Sequence, residues 1–306
     1  MRVIITGGTG MIGSELAASL AGDGHEVIAL SRNPSKHAPP PGVQIEKWDS
    51  KTAAGWGHLA DGADAIVNLA AESIAGEGFP PDRWTAAKKR RIRQSRIDAG
   101  NAVVEAVKAA ASKPAVVIQA SGNDYYGDQG DEVLTEEVPP GDSFLADVTL
   151  DWEGATAPVA GMGVRHVVAR GGIVLSMEGG ALPSTVLPFR LFVGGPLGNG
   201  RQWWPWIHIQ DLVRAIRFLI ENEAASGPVI VCTPNPLRNK DFARVIGEVM
   251  GRPSYFPVPA FALKLALGEV ADTVLHSRRT LPEKLQALGF TFLYPDLKPA
   301  LEDLLK

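Results

Sequence analysis

The fold of this 306-residue chain is decided by the stretch Thr6-Gly7-Gly8-Thr9-Gly10-Met11-Ile12-Gly13. The stretch follows residues 2–6, which have the pattern of a strand, and precedes residues 11–21, which have helical spacing. Glycines in this position let the backbone approach a pyrophosphate, and free N–H groups at the helix N-terminus hold the anion. The sequence therefore predicts dinucleotide binding by Gly7, Thr9, Gly10, Met11, Ile12 and Gly13. The alternative is a glycine-rich turn without a ligand.

Short β-branched runs alternate with longer amphipathic stretches along the chain. This alternation predicts an α/β fold, a doubly wound parallel sheet of the Rossmann type with helices on both faces. Strands are expected at residues 2–6, 26–30, 43–47, 64–69, 115–120, 164–170 and 229–232. Helices are expected at residues 11–21, 81–111, 144–160, 212–220, 239–250, 261–269 and 281–288. Asp211 is the predicted N-cap of the helix over 212–220.

The predicted elements divide the chain into two parts. Residues 1–173 and 206–233 are expected to form the dinucleotide-binding Rossmann domain. Residues 174–205 and 234–306 are expected to form a smaller, mainly helical C-terminal lobe on the substrate side. The segment 176–205, where the chain first leaves the predicted Rossmann domain, is rich in Gly and Pro.

The residues that follow the second predicted strand select the nucleotide. A carboxylate there binds the ribose 2′-hydroxyl of NAD. This chain has Ser31-Arg32 instead, and an arginine suits the 2′-phosphate of NADP. The sequence thus predicts NADP(H) as the cofactor, with Ser31 and Arg32 in its site. A solvated loop cation is the alternative role for Arg32, since Arg2 and Lys36 are also near in sequence.

Composition and charge exclude several classes of protein. With 45% hydrophobic and 21% charged residues, the chain is typical of ordered globular proteins. The formal net charge is −4, so the protein lacks the broad positive field that attracts proteins to nucleic acid. A single cysteine, Cys232, excludes an intramolecular disulfide and favours a reducing compartment. Because no signal-peptide core or bilayer-spanning run is seen, we expect a cytoplasmic protein with no membrane and no nucleic-acid partner.

Further motifs resemble those of a known family. They are Asn68-Leu69-Ala70-Ala71-Glu72-Ser73-Ile74, Arg83-Trp84-Thr85, Ser95-Arg96-Ile97, Tyr125-Tyr126-Gly127, Asp151-Trp152-Glu153, Gly194-Gly195-Pro196-Leu197-Gly198 and Trp206-Ile207-His208-Ile209-Gln210-Asp211. With the glycine loop, they make the chain resemble the extended short-chain dehydrogenase/reductases. Within these it resembles an atypical group, nucleoside-diphosphate-sugar epimerase-like, that has its own C-terminal lobe and some members labelled as cell-division proteins. The resemblance covers nearly the whole chain.

The resemblance implies further contacts with the cofactor. Asp49 would face the adenine, and Leu69, Ala70 and Ala71 would run beside the ribose. Gly171 and Ile173, which follow the sixth predicted strand, would border the nicotinamide. Ligands of such sheets bind at the carboxyl ends of the strands, where residues 69–71 are expected.

The usual catalytic pair of short-chain reductases is absent. These enzymes use a tyrosine whose pKa is lowered by a lysine four residues later. Residues 114–239 contain no lysine, and an alignment on Glu153 places Leu145 and Thr149 at the two positions. The literal match Tyr294-Pro-Asp-Leu-Lys298 lies in the C-terminal lobe, so it is not expected to act.

Candidate catalytic groups follow the fifth predicted strand. Ser121, Asp124 and Tyr126 supply a hydroxyl, a carboxylate and a phenol where the nicotinamide is expected. Asp124 stands where the resembling dehydratases place a glutamate base, and turn hydrogen bonding is its alternative role. For Ser121 and Tyr126 the alternatives to substrate contact are loop packing and a buried phenol hydrogen bond.

Two other clusters are open to two interpretations. The basic run from Lys88 to Arg96 is typical of a solvated helix face, and an anion site formed by these two residues is the alternative. The aromatic run Trp203-Trp204-Pro205-Trp206 with His208 is typical of an interface core, and stacking on a ligand ring is the alternative. No metal site is expected, because no carboxylate–histidine spacing accompanies His208.

Two functions remain open from the sequence. The first is an NADP(H)-dependent, epimerase-like oxidoreductase that acts on a small carbonyl or sugar-like substrate between the sheet edge and the C-terminal lobe. Arg32 favours net reduction by NADPH. The second is a non-catalytic NADPH-binding sensor or regulatory interaction protein, which the missing lysine favours. A monomer or homodimer is expected in either case, and the sequence does not identify the substrate.

Overall fold

Parallel strands at the centre of the molecule carry the predicted glycine loop. The computed structural model describes residues 1–36, 38–76, 78 and 80–305. The strands are β1 (Arg2–Thr6), β2 (Glu26–Ser31), β3 (Val43–Lys47), β4 (Ala65–Asn68), β5 (Val116–Gly122), β6 (Val133–Leu134), β7 (Arg165–Gly171), β8 (Ile173–Leu175), β9 (Trp203–Trp204), β10 (Trp206–His208), β11 (Gly227–Val231), β12 (Leu237–Arg238) and β13 (Arg279–Thr280). Seven of them form one parallel sheet in the order β11-β7-β5-β4-β1-β2-β3. The predicted fold class is confirmed.

Helices connect the strands and build the C-terminal part of the chain. They are α1 (Met11–Gly22), α2 (Ala86–Ala109), α3 (Phe144–Thr156), α4 (Leu182–Arg190), α5 (Ile209–Glu221), α6 (Asn239–Met250), α7 (Ala260–Leu267), α8 (Asp272–Leu275), α9 (Glu283–Ala287) and α10 (Leu297–Leu304). In the described ranges, none of these helices combines the length and the apolar content that crossing a bilayer requires.

Two hydrophobic cores cover the two faces of the sheet. Val3 and Ile5 of β1 point to one face, where Leu16 and Leu20 of α1 are fully buried together with residues of α5. Ile4 points to the other face, where α2 packs with a second set of buried residues. Strands buried on both faces are expected to be apolar at every position, and residues 3–5 are. This double coverage is the doubly wound arrangement.

A third core lies outside the sheet. Aromatic and aliphatic side chains from α4, α6 and α10 bury one another there, with Trp204, Trp206 and Phe242 at the centre. Leu285 and Phe290, from the same C-terminal region, pack instead into the sheet core beside α5. The C-terminal region is therefore attached to the Rossmann sheet through apolar packing as well as through its own core.

Two predicted helix boundaries are wrong for local reasons. α2 begins at Ala86 rather than residue 81, because the Thr85 side chain accepts a hydrogen bond from Lys88 N and caps the helix. α3 ends at Thr156, after which residues 157–162 tighten into a 3-10 helix with Pro158 in its first turn.

The predicted role of Asp211 as a helix cap is also wrong. α5 begins three residues earlier than predicted, at Ile209, and His208 caps it by accepting a hydrogen bond from Gln210 N at 3.1 Å. The fully buried Asp211 carboxylate instead accepts hydrogen bonds from Leu293 N and Tyr294 N, each at 2.8 Å. The Asp211 carboxylate thus binds backbone amides that are distant in sequence instead of the amides at the start of its own helix. It therefore joins α5 to the C-terminal segment.

Candidate functional site

The N-terminus of α1 is open at the end of β1. Gly10 is its N-cap in an extended conformation, no side chain caps it, and its first turn carries no acidic residue. The first amides of a helix have no acceptor within the helix. With the helix dipole, they form a positive end that suits a pyrophosphate.

The glycines of the loop have two different jobs. A Cβ on Gly13 would collide with the Gly7 carbonyl, and one on Gly8 would lie 2.6 Å from the Ala29 Cβ, so both permit close packing. A Cβ on Gly10 would meet only the Gly7 oxygen, at 3.3 Å, so the space beside Gly10 is not taken by protein. Gly7 has a φ of +66°, which favours glycine. The loop thus fits a bound diphosphate.

The end of β2 lies against this loop. The Thr9 and Ser31 hydroxyl oxygens are 3.1 Å apart, and Ser31 Oγ also accepts from Asn33 N. Arg32, the next residue, is exposed and forms no salt bridge with any carboxylate in the described ranges. A guanidinium next to the predicted ribose position is therefore available for a phosphate.

The end of β4 completes the wall beside the loop. Thr6 Oγ1 donates to Asn68 Oδ1 at 2.6 Å and accepts from the amides of Leu69 and Ala70. A Cβ on Gly7 would come within 3.1 Å of Ala70. The structure thus places Leu69 and Ala70 beside the glycine loop, while the contact of 69–71 with the ribose stays a prediction.

Asp49 lies in an exposed turn after β3. Its carboxylate accepts from the amides of Lys51 and Thr52 and from the Thr52 hydroxyl. Burial tends to raise the pKa of Asp49, but these hydrogen bonds lower it overall. The carboxylate therefore orders the turn itself, which leaves its predicted contact with adenine a proposal.

The far end of the predicted cofactor site lies between β7 and β8. Gly171 pairs with Gly122 at the end of β5, so the two strands end at the same level of the sheet. Ile173 begins β8 and donates its amide to Pro205 O at 2.8 Å. Gly171 and Ile173 thus lie at the sheet edge near the candidate catalytic loop.

A buried ionic network holds Ser121. The Ser121 hydroxyl donates to Glu153 Oε1 at 2.6 Å. Arg170 binds both oxygens of Glu153, at 2.8 and 2.9 Å, and its side chain is only 4% exposed. The network joins β5, α3 and β7, so it fixes the strand ends around the predicted nicotinamide position.

Tyr126 is part of the same buried network and is not exposed on the surface of the site. It is fully buried, and its hydroxyl accepts from Arg170 Nη1 at 3.0 Å. Burial raises the pKa of Tyr126 to about 12, although the Arg170 guanidinium opposes the shift. The geometry thus matches the buried phenol hydrogen bond among the two alternatives given by the sequence.

Asp124 is the member of the predicted trio that faces a cavity. Arg278 of the C-terminal region donates to Asp124 Oδ1 at 2.6 Å. The cavity has a volume of about 140 Å³. Its described lining comes from the loop after β5, the segments that begin α2 and α3, and the C-terminal region: Trp84, Asp124, Ser143, Phe144, Leu145, Glu269, Asp272, Thr273 and His276.

The two positions of the missing catalytic pair hold an apolar residue and a threonine whose hydroxyl is already hydrogen-bonded. Leu145 lines the cavity where the tyrosine would stand. The Thr149 hydroxyl donates to the carbonyls of Leu145 and Ala146 within α3 and is buried. Neither residue replaces the proton relay of the usual pair.

The basic run on α2 has a solvated face with Arg90, Arg91 and Arg93, while Lys88 and Arg96 are buried and bind within the protein. Arg96 donates to the carbonyls of Glu72 and Ile92 and lies over the Trp152 ring, 4.7 Å from its centroid. Burial lowers the pKa of Arg96 to about 10, against the opposing carboxylates of Asp124 and Glu72. Lys88 pairs with Glu72 at 3.2 Å. The contacts therefore favour a structural role over an anion site.

The aromatic run is divided between core and surface. Trp204 and Trp206 are buried in the third core, as expected for an interface. Trp203 donates to Asp131, and the guanidinium groups of Arg238 and Arg279 each lie 4.7 Å from its ring centroid. None of the three lines the cavity beside Asp124. Among the described residues, no group has the composition of a metal site.

Sequence comparison assigns the family. The NAD dependent epimerase/dehydratase family matches residues 3–232, and a domain of unknown function, DUF1731, matches residues 258–304. The chain belongs to the NAD dependent epimerase/dehydratase family. The epimerase family protein YfhF of Bacillus subtilis is 39% identical to it over 306 residues, which is 100% of this chain and 98% of the relative. The resemblance noted from the motifs is confirmed.

Two solved structures of this epimerase/dehydratase type match the whole chain. The human epimerase family protein SDR39U1 (isoform 2), crystallised with NADPH, is 33% identical, with 99% of each chain covered and a TM-score of 0.89. A nucleoside-diphosphate sugar epimerase from Corynebacterium glutamicum is 37% identical, with 100% of this chain and 58% of that chain covered and a TM-score of 0.78. NAD(P) binding is therefore a property of the family that this chain joins.

Sequence reasoning missed three residues of the site. Glu153 served only as a landmark on α3, although it links Ser121 to Arg170. Arg170 was the last residue of a predicted strand, and an arginine that directly follows the apolar run 167–169 at the carboxyl end of a strand is the signal for it. Arg278, which binds Asp124, is 154 residues away in sequence and gave no local signal.

Proposed function

We propose that this chain is an NADP(H)-dependent, epimerase-like oxidoreductase that acts on a small carbonyl or sugar-like substrate. The observation that carries the proposal is the open, uncapped N-terminus of α1 with the free Arg32 after β2. The relative that was crystallised with NADPH supports the same choice of cofactor. Family membership supports hydride chemistry. The proposed class of substrate is argued from the residues of the site alone.

The residues of the loop and sheet edge would hold the cofactor. Gly7, Gly10 and the amides of Met11 to Gly13 suit the diphosphate, and Arg32 suits the 2′-phosphate. The segment 69–71 and the pair Gly171 and Ile173 would flank the ribose and the nicotinamide. When bound, NADPH supplies a hydride at the nicotinamide ring.

Asp124 is the group proposed to touch the substrate. It lines the cavity, and its ion-paired carboxylate can accept a hydrogen bond from a substrate hydroxyl or from a water, which would give the carbonyl oxygen its proton as the hydride arrives. The Ser121 hydroxyl donates to Glu153, which fixes its orientation. Its oxygen would accept a hydrogen bond from the substrate. Tyr126 would position Arg170 rather than contact the substrate, because it is fully buried.

The second candidate is a non-catalytic NADPH sensor. Leu145 and the internally bonded Thr149 favour it, since neither supplies a proton donor where the family pair would stand. A sensor would bind NADPH and change its affinity for a partner without turnover.

Turnover separates the two candidates. NADPH oxidation is followed at saturating cofactor across a panel of small carbonyl compounds for the wild type, Asp124→Asn and the exposed control Asp23→Asn. We expect measurable turnover that falls about 10²-fold or more in Asp124→Asn and is unchanged in the control. Tight NADPH binding with no turnover on any carbonyl would instead support the sensor.

A further inference from the structure

The cavity beside Asp124 is distinct from the glycine loop and carries its own chemical signature. It lies between the loop after β5, the start of α3 and the C-terminal region. Glu269, Asp272 and His276 contribute from the C-terminal side, and Phe144 and Leu145 from α3. These are the positions from which a bound substrate would be recognised.

The charge of the wall is unsuited to phosphate. Three carboxylates line the cavity, those of Asp124, Glu269 and Asp272. Among the described residues, no lysine or arginine lines the cavity. The cations that pair with the three carboxylates, Arg278, Lys89 and Lys264, lie outside the lining. Phosphates are held by arginine, lysine or free amides. A nucleoside diphosphate would therefore meet acceptors where it needs donors.

The size of the cavity points to a single ring. Its volume is about 140 Å³, and an engineered protein cavity of about 150 Å³ is known to hold benzene. A drug-sized ligand needs about 300 Å³ or more. A six-membered ring fits the space, whereas the nucleoside diphosphate of a nucleotide sugar would extend beyond these lining residues.

The wall combines ring faces with hydrogen-bond acceptors. Trp84 and Phe144 pack edge to face, with ring centroids 5.3 Å apart. The Trp84 Nε1–H is already donated to Ile74 O, and the Thr273 hydroxyl to Val270 O. Since these two donors are used, the three carboxylates dominate the polar wall, and they suit a ligand that brings hydroxyl or amino donors.

We propose that the cavity takes a compact, phosphate-free ring that carries hydroxyl or amino groups, and not a nucleoside-diphosphate sugar. The inference rests on the proposed function, in which this cavity is the substrate site. It narrows the substrate to a class that the family name does not give. Asp124 and the C-terminal carboxylates bind the ring donors, and Phe144 supports the ring.

The test compares ligands that differ by a phosphate. Binding of glucosamine, glucosamine 6-phosphate and UDP-glucose to the NADPH-saturated full chain is measured by saturation-transfer difference NMR. Glucosamine is expected to bind at least tenfold more tightly than either phosphorylated compound. Phe144→Ala should weaken glucosamine binding at least fivefold, while Phe256→Ala, an exposed phenylalanine outside the cavity, should not.

A gain of function adds a second test. His276→Arg brings a permanent cation to the wall and should strengthen binding of glucosamine 6-phosphate at least tenfold. The control His58→Arg, at an exposed site on the 3-10 helix Gly57–Ala60, should leave it unchanged. Equal responses of the two variants would contradict the proposal.

The outcomes separate this proposal from the proposed function. Tighter binding of UDP-glucose or glucosamine 6-phosphate by the wild type, or no binding of any ring compound, overturns the proposal. The rise in Tm caused by NADPH is recorded on the same samples. Its absence would overturn the proposed function, so the two failures are distinguishable.

Discussion

At the scale of single residues, the buried ion pair formed by Glu153 and Arg170 holds the candidate site together. Both are largely buried, at 14% and 4% side-chain exposure, and the pair receives Ser121 and Tyr126 as further partners. Removing one member of a buried pair leaves an uncompensated charge. The strand ends around the predicted nicotinamide position therefore depend on two residues that would not touch the substrate.

Glu153→Gln should lower the free energy of unfolding by about 3–5 kcal/mol, because it leaves the Arg170 guanidinium buried without a counter-charge. The matched control is Glu248→Gln, which removes an exposed i,i+4 partner of Arg244 and should cost about 0–1 kcal/mol. Urea unfolding measures both. Equal losses in the two variants would show that the network contributes no special stability.

Tyr126→Phe tests whether the phenol is structural. The variant keeps the ring and loses one hydrogen bond from Arg170, so about 1 kcal/mol of unfolding free energy should be lost. The rise in Tm caused by NADPH should be unchanged. A loss of about 10²-fold or more in turnover with unchanged stability would place the phenol on the substrate instead.

His208 makes stability depend on pH. Burial lowers the pKa of His208 below its ordinary value, although the Asp303 and Asp211 carboxylates oppose the shift. The unfolded chain therefore binds this proton first, so stability is full above about pH 6.5 and is lost as pH falls toward the folded pKa.

The His208 prediction is checked by Tm at pH 8.0 and 5.5. His208→Asn retains a side chain that caps α5, and its Tm should fall less between the two pH values than that of the wild type. The exposed control His58→Asn should behave like the wild type. A larger fall in His208→Asn than in the wild type would contradict the assignment.

At the scale of elements, the turn from β1 to α1 separates binding from folding. Gly10→Val should leave the fold intact and abolish the rise in Tm caused by NADPH, because the side chain enters the space meant for the diphosphate. Gly13→Val should instead lower Tm without any ligand, since its side chain would collide with the Gly7 carbonyl. Retained NADPH binding in folded Gly10→Val would move the nucleotide elsewhere.

The strands and the glycine loop were predictable because they depend on local patterns. The seven strands of the main sheet fall on the expected runs, with boundaries that shift by one or two residues. Side-chain caps set the helix starts less predictably: Thr85 delayed α2, and His208 rather than Asp211 began α5. Asp211 failed as a prediction because its partners, Leu293 and Tyr294, are 82 and 83 residues away.

The candidate site was only partly predictable. Ser121, Asp124 and Tyr126 are close in sequence, but a hydroxyl, a carboxylate and a phenol look equally useful there. Their partners distinguish them, because Arg170 binds the Tyr126 hydroxyl and Arg278 binds the Asp124 carboxylate. Contacts across 44 and 154 residues carry no local pattern, so the sequence alone left all three as candidates.

At the scale of the whole molecule, the C-terminal region completes the candidate site. The segment around β13 is joined to the loop after β5 by Arg278 with Asp124, Thr280 with Asn123, and the Ser277 amide with Asp128. Carboxylates of the same region form part of the cavity wall. The sheet would hold the cofactor, and the C-terminal region would determine which substrate binds next to it.

The choice of NADP(H) is the central claim, and the shift in Tm with each cofactor tests it most directly. A ligand that binds only the native state stabilises it by RT ln(1 + [L]/Kd), so a tenfold difference in Kd is about 1.4 kcal/mol at saturating ligand. NADPH should raise the Tm of the wild type far more than NADH at equal concentration, and Arg32→Ala should remove most of that difference. Equal shifts for NADPH and NADH in the wild type would contradict the assignment.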